Sequence, residues 1–233
     1  MKLFSTLAVK KALEDVVLQA FRQETGIEVQ TVFDPTNQLL RRIQDGETFD
    51  VMIGVTDSFT TLDDIIDSPT LTAVARTGIG VAVPRGAPIP DISSTESFVQ
   101  TLLQARSVAY SLTGASGIYF AGLLNKLGIA EQIGSRATVL EKGFVAEAVV
   151  VGRADLAVQQ LSELLFVPQA QIVGPFPAEL QHYTEFSAAV SAQPRNRPQA
   201  EALVSFLTSP KATTAYTQTM LEPTAQLRDL TPS

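Results

Sequence analysis

The feature that most constrains this chain is its near-unbroken alternation of strand-like and helix-like segments. A strand, helix, strand order with short connections leads to a parallel sheet covered by helices. Lys2-Leu3-Phe4-Ser5 reads as a first strand. Leu13, Val16, Val17, Ala20 and Phe21 recur at three- and four-residue spacing, the apolar stripe of a helix that Thr25-Gly26 ends. Ile27 to Phe33 reads as a strand, and Asp34-Pro35-Thr36-Asn37 supplies cap residues for a helix carrying Leu39, Leu40 and Ile43. Phe49 to Ile53 is a short apolar strand interrupted by Asp50, and Leu62, Ile65 and Ile66 mark another helical turn. In open α/β sheets ligands settle beyond the carboxyl ends of the strands. Here those ends carry Ser5-Thr6, Asp34 to Asn37 and Gly54 to Ser58.

The alternation then restarts. Leu71 to Val83 reads as one long crossing strand, and Ser93 with Glu96 fits a capping box before Phe98, Leu102 and Leu103. A strand over 107–111, a helix over 117–127, a strand near 137–140, a helix near 145–151 and a buried strand Leu156-Ala157-Val158 follow. Tyr183 to Ala192 is a second long strand-like run, with helices around 198–208 and 210–220 behind it. Two long strands bracketing a middle unit predict a chain that crosses to a second lobe and returns. Lobe 1 is then discontinuous, residues 1–78 and 188–233, and lobe 2 is 79–187, each a mostly parallel sheet flanked by helices. No internal sequence repeat accompanies this pattern.

Composition narrows the function classes. With 45% hydrophobic residues among 233, the chain buries a large core. A formal charge of −7, with only Lys10-Lys11 and Arg41-Arg42 as adjacent basic pairs, argues against nucleic acid or an anionic membrane as partner. The absence of cysteine excludes disulfides, thiolate catalysis and sulfur-ligated metals. No apolar run reaches the ~18 residues of a membrane span, and the chain opens on a strand without the regions of a signal peptide. The expectation is a periplasmic protein if a leader peptide has been removed, with a cytoplasmic one as the alternative.

One phrase carries chemistry: Ser111-Leu112-Thr113-Gly114-Ala115-Ser116-Gly117-Ile118-Tyr119 joins a strand to a helix through hydroxyls and glycines. Such a loop presents backbone N–H groups and the positive end of a helix dipole, which suits a bound anion. Ser116 and Gly117 are read as a hydroxyl and an N–H donor, against the plainer reading of Ser116 as an N-cap. Thr36 and Asn37 face the same choice between cap and donor. Arg76 sits in an otherwise apolar, small-residue strand, where its fork suits a planar carboxylate; the plainer reading is a salt bridge to Asp50 or Asp57. Gln159 and Gln160 follow a strand and point alternate ways, one toward a ligand. Tyr110 and Ser111 add hydroxyls at a strand end, and Phe144 after Gly143 adds an N–H and an apolar wall, whereas Tyr119 is read as core. Arg41 and Arg42 are assigned to a solvated helix face. Gly78-x-Gly80 lacks the third glycine and the strand-to-helix setting of a nucleotide fingerprint, and no phosphate loop of the Gly-Lys-Ser/Thr type occurs.

Phe4-Ser5-Thr6-Leu7-Ala8, the run from Gln38 to Val51, Ala115-Ser116-Gly117-Ile118-Tyr119 and Phe206 to Ala212 together resemble the molybdate-binding-protein-like family of periplasmic solute-binding proteins over nearly the whole chain. Ala75 to Val83 and Val158 to Leu165 look like a bacterial branch described only as substrate-binding proteins. The resemblance implies a two-lobed, type II binding-protein fold that closes on a small anion and passes it to the permease of an ABC-type transporter. Where molybdate binders place a serine-rich loop this chain has Asp34-Pro35-Thr36-Asn37, their first-strand serine aligns near Ala8 beside Ser5 and Thr6, and their lobe-two tyrosine falls near Gln159. An organic carboxylate is therefore favoured over molybdate or tungstate.

The expected mechanism is hinge closure in the crossing strands near Arg76–Gly78 and Ser187–Ala189, by a monomer that needs no cofactor or metal. A cytosolic small-anion sensor is the alternative. A hydrolase is disfavoured, because His182 is the one histidine and no Gly-x-Ser-x-Gly elbow occurs.

Overall fold

The alternation closes into two separate mixed sheets. The computed structural model describes residues 1–141 and 143–224. Its strands are β1 (Lys2–Ser5), β2 (Gln30–Phe33), β3 (Val51–Val55), β4 (Thr72–Thr77), β5 (Ile79–Pro84) and β6 (Val108–Ser111). They continue with β7 (Thr138–Leu140), β8 (Leu156–Gln160), β9 (Ala170–Pro175), β10 (Thr184–Val190) and β11 (Glu222–Pro223). One unit comprises Met1–Thr77 and the chain from Glu185 onward; the other is Gly78–Thr184.

In the first unit the sheet order is β11-β4-β10-β3-β1-β2. β1 lies between β3 and β2 and is parallel to both, whereas β10 joins β3 antiparallel. In the second unit the order is β7-β6-β8-β5-β9. β6 is again the middle of a parallel trio, and β5 runs antiparallel to β8 and β9. Each unit thus winds from a central strand first to one side and then to the other, and each takes in antiparallel strands beyond its trio.

Both sheets are buried on two faces, and the period-2 direction of strand side chains divides the core accordingly. Leu3, Val51 and Ile53 face the helical stretch 7–25 and the helices Arg197–Phe206 and Pro210–Gln218, packing with Leu13, Phe21, Leu203 and Tyr216. Phe4 and Met52 face the other way, onto Leu39 of helix Thr36–Gln44 and Phe59. In the second unit Val81, Val108, Tyr110 and Val158 pack on Phe98 and Phe120. The alanines between them, Ala82, Ala109 and Ala157, face Val145, Val149 and Leu164, where small side chains let a short turn approach closely. Asp50, which breaks an apolar run, is buried, and its carboxylate accepts the N–H groups of Lys2 at 2.6 Å and Arg195 at 2.7 Å.

Several sequence expectations are corrected. The crossing strand read over 71–83 is two strands, β4 and β5, interrupted at Gly78 and belonging to different sheets. The Gln181 amide accepts the Ile79 N–H at 2.7 Å and donates to the Ile79 carbonyl at 3.0 Å, and a Cβ on Gly78 would stand 2.9 Å from that amide carbon. The capping box is Ser94 with Ser97, one residue along from Ser93 and Glu96: the Ser94 hydroxyl accepts the Ser97 N–H, and the Ser97 hydroxyl accepts the Ser94 N–H. Neither Thr36 nor Asn37 caps its helix, since Pro35 holds the N-cap position. β9 was not anticipated, because Ala170-Gln171-Ile172-Val173-Gly174-Pro175 lacks a clean alternation and carries a bulge in its pairing with β5.

Candidate functional site

The parallel registers decide where polar loops gather. In the first unit Ser5 pairs with Phe33 and with Ile53, so the residues after β1, β2 and β3 emerge along one sheet edge. The helical stretch 7–25 and helix Thr36–Gln44 both begin at that edge. Ser5 is fully buried and its hydroxyl donates to the Thr6 carbonyl at 3.1 Å. Thr6 is 5% exposed, holds the N-cap position of the following helical turn and makes no capping bond; its hydroxyl has no hydrogen-bond partner among the described residues. Thr36 is buried at the first position of its helix, where its hydroxyl accepts the Val55 N–H at 3.2 Å. Asn37 is exposed beside it. Beyond β3, the Thr56 and Ser187 hydroxyls lie 2.9 Å apart and the Ser58 hydroxyl donates to the Val55 carbonyl.

Arg76 does not meet the acids that sequence proximity suggested. Its guanidinium engages Glu222 of β11 through Nε at 2.8 Å and Nη2 at 2.7 Å. Asp50 is satisfied by backbone N–H groups instead. Arg76 is a strand-to-strand tie in this structure, and the carboxylate it holds is internal. Arg42 bridges Asp34 at 2.7 Å and Glu47 at 2.9 Å, and together with Lys2 it holds the Glu47 carboxyl below its ordinary range through hydrogen bonds.

In the second unit Ser111 pairs with Leu140, so the residues after β6 and β7 leave the same edge, as do those after β8. The Ser111 hydroxyl accepts the N–H groups of Thr113 and Gly114, both at 3.2 Å. It shapes the loop as an acceptor, and its own hydrogen has no acceptor among the described residues. Helix Ala115–Lys126 has Gly114 as its N-cap without a side-chain cap, so Ser116 lies inside the first turn and is not the capping residue. The first intrahelical bond is donated by Ile118 to the Gly114 carbonyl, which leaves the N–H groups of Ala115, Ser116 and Gly117 with no acceptor in the helix. Ser116 is 3% exposed, and its hydroxyl has no partner among the described residues. Gly117 is dictated by packing: a Cβ there would stand 1.8 Å from the Ser111 carbonyl oxygen.

β8 runs through Gln160, so Gln159 and Gln160 lie on opposite faces of their sheet. Gln159 shares the face of Ala157, where its Oε1 accepts the Val145 N–H at 2.9 Å and its Nε2 donates to the Gly143 carbonyl at 3.2 Å and to Glu163 at 2.5 Å. Its amide is spent on the protein itself. Gln160 shares the face of Val158, on which helix Ala115–Lys126 packs through Phe120. It is 4% exposed, with no side-chain partner among the described residues. Phe144 stacks on Phe166, centroids 4.4 Å apart, so its ring belongs to an internal pair. Tyr110 packs edge-on against Phe120, and Tyr119 donates to the Leu180 carbonyl and stacks on His182 at 4.5 Å.

Glu163 escaped the sequence reading. It belongs to the short helix Leu161–Leu164, and burial pushes its carboxyl up to about 7 against the counter-effect of the Gln159 hydrogen bond. The signal was the Gln159 to Glu163 spacing of four across a strand-to-helix junction, which no periodicity rule reads. Among the described residues no cluster of three or more His, Asp and Glu side chains suits a metal ion, and no helix is long and apolar enough to cross a membrane.

Each unit therefore sets helix N-termini at the carboxyl edge of a parallel trio, beside a mostly buried residue, Thr6 or Ser116, whose hydroxyl has no hydrogen-bond partner among the described residues, an arrangement of neutral donors suited to an anion. The fold matches the periplasmic molybdate-binding protein of Azotobacter vinelandii with a TM-score of 0.79 at 18% identity, covering 95% of this chain and 98% of that one. In sequence the chain is 32% identical over 218 residues to an aconitate isomerase from a Pseudomonas species, spanning 89% of this chain and 82% of the relative. It is 26% identical to the molybdate-binding protein ModA of Azotobacter vinelandii, spanning 86% of this chain and 81% of that one. The family model for bacterial extracellular solute-binding proteins matches residues 1–219, and the chain belongs to that family.

Proposed function

We propose that this solute-binding protein captures a small organic anion with two or three carboxylates, as a monomer outside the cytoplasm, and delivers it to the permease of an ABC-type transporter. The observation that carries the reading is Ser116: a residue 3% exposed whose hydroxyl has no partner among the described residues, beside three N–H groups of a helix start. A ligand oxygen that accepts from this hydroxyl and these N–H groups gains hydrogen bonds worth about 0.5–1.5 kcal/mol each. In the same unit Gln160 has a mostly buried side chain without a partner among the described residues and joins Ser116 in the proposed donor set; in the other unit Thr6 and the first-turn N–H groups near Thr36 and Asn37 offer donors of the same kind. The preference for carboxylates rests on the relative whose name gives aconitate, a tricarboxylic acid, as its substrate; it does not rest on Arg76, whose fork is engaged by Glu222. In this reading the ligand stabilises the state of the protein that binds it best.

Thermal denaturation in the presence of cis-aconitate, trans-aconitate, citrate, molybdate and tungstate tests the proposal. A ligand at a hundred times its Kd adds about 2.7 kcal/mol to stability. We expect a rise in Tm with at least one tricarboxylate, and a loss of ten-fold or more in its affinity in Ser116→Ala. Stabilisation by molybdate alone, or tricarboxylate binding that Ser116→Ala leaves intact, contradicts the proposal.

A second reading follows from the same relative: the chain interconverts cis- and trans-aconitate. Proton NMR of cis-aconitate incubated with the protein distinguishes the two. Enzyme-dependent appearance of the trans isomer establishes turnover, and binding without turnover leaves the capture function alone.

A further inference from the structure

We infer that Glu163 is a positioning residue for the ligand loop Gly143–Ala146, acting through Gln159. The inference deepens the proposed function, since it takes this loop as part of the anion site. Gln159 is held at both ends of its amide. Oε1 receives the Val145 N–H, while Nε2 gives its hydrogens to the Gly143 carbonyl and the Glu163 carboxylate. Rotating the amide by half a turn would set its NH2 against the Val145 N–H, and its oxygen against a carbonyl and a carboxylate. Glu163 thereby reinforces the one amide orientation that the Val145 N–H and the Gly143 carbonyl also require.

That orientation has a consequence for the loop. Gly143 takes a φ of 99°, a left-handed backbone suited to glycine, and the following turn is closed by Glu147 N–H on the Phe144 carbonyl and Ala148 N–H on the Val145 carbonyl. With the Val145 N–H consumed by Gln159, the Phe144 and Ala146 N–H groups remain without acceptors among the described residues. These are the donors that the loop offers to an anion.

The surroundings of Glu163 make its charge the variable. The strands packed against helix Leu161–Leu164 are β5, β8 and β9, and none carries an ionisable side chain. Glu141 and Glu147 are exposed, Arg85 donates to the Pro168 carbonyl, and Lys142 lies outside the described residues. Burial raises the carboxyl to about 7, so its ionisation falls within the neutral range. A neutral carboxyl accepts from the amide more weakly than a carboxylate does. The Gln159–Glu163 hydrogen bond therefore strengthens as the carboxyl ionises through neutrality, while burial of the new charge costs the fold stability.

The decisive measurement needs no ligand. In wild-type protein the Val145 backbone amide and Gln159 side-chain amide resonances are expected to titrate together between pH 6 and 8, and to be flat over that range in Glu163→Gln. Flat wild-type resonances, or a titration that survives in Glu163→Gln, overturns the inference. A second arm uses cis-aconitate as probe. Affinity corrected for ligand ionisation is expected to rise about three-fold or more from pH 6 to 8 in wild type, to lose that slope in Glu163→Gln, and to fall about ten-fold in Glu163→Ala. Titrating resonances in a protein that binds none of the tested anions would break the functional reading and leave the loop clamp standing; probe binding with equal pH slopes in wild type and Glu163→Gln would break the clamp's role in binding.

Discussion

The two units solve one problem with unequal rigidity. Both wind a parallel trio from its central strand outward, and both bring helix starts to the same edge. In the second unit a chain of side-chain bonds fixes the loops at that edge: Ser111 holds Thr113 and Gly114, Gln159 holds Val145 and Gly143, and Glu163 holds Gln159. In the first unit the corresponding loops rest on single hydroxyl contacts such as Thr36 to Val55 and Ser58 to Val55. Equivalent topology does not bring equivalent preorganisation. The second unit invests its side chains in shaping N–H donors, and the first leaves more of its hydroxyls with one bond or none.

The glycines offer the harshest way to break this contrast. Gly117→Ala would drive a methyl into the Ser111 carbonyl at 1.8 Å, against backbone that is itself clamped. We expect a loss of more than about 3 kcal/mol in chemical denaturation, the upper range for overpacking. Gly54→Ala in the first unit meets the flexible end of Met52 at 3.0 Å and the Thr36 methyl at 3.2 Å, and about 1 kcal/mol is expected. Equal losses would mean that the two edges are equally rigid after all.

A sharper test uses pH. The folded-state carboxyl of Glu163 lies near 7 against an ordinary value of 4.5, so the folded chain holds a proton that the unfolded chain releases. Its contribution is therefore intact below about pH 4.5 and is lost as pH climbs toward and past 7. Glu163→Gln is expected to be more stable than wild type at pH 8, by up to about 3 kcal/mol, with the advantage shrinking toward pH 5. A pH-independent difference would assign the effect to packing.

The smallest expected effect belongs to the first unit. Arg76 and Glu222 are both partly exposed, at 28% and 45% of their side chains, and removing either by alanine should cost less than about 1 kcal/mol. Affinity for cis-aconitate should be unchanged in Glu222→Ala if Arg76 serves only as a tie between β4 and β11. A marked gain in affinity would show that freeing the guanidinium adds a ligand contact.

What was legible in the chain follows the same division between pattern and contact. Apolar periodicity located both parallel trios, and the small-residue phrase around Ser116 marked a helix start at a strand's carboxyl end. Local hydrogen-bond choices were not legible. Whether Ser111 turns to its own loop and whether the amide of Gln159 or of Gln160 is spent internally depend on local backbone geometry that no periodicity encodes, and which acid meets Arg76 depends on a contact 146 positions away, with Glu222. The break at Gly78 was hidden for a related reason: β4 and β5 are similar in composition, and only the division of their hydrogen bonds between two sheets separates them.

The place of β10 in its sheet sets a biosynthetic order. It lies between β4 and β3, so the first unit's sheet cannot be completed until residues 184–190 have left the ribosome. The unit from Gly78 to Thr184 is by then already whole in sequence. Although it comes second along the chain, it is able to acquire its native structure first, while the amino-terminal strands wait for a neighbour still being made. Pulse proteolysis of nascent chains stalled with residue 184 just emerged should find a resistant fragment beginning near Gly78; resistance confined to the amino-terminal 77 residues would reverse the order.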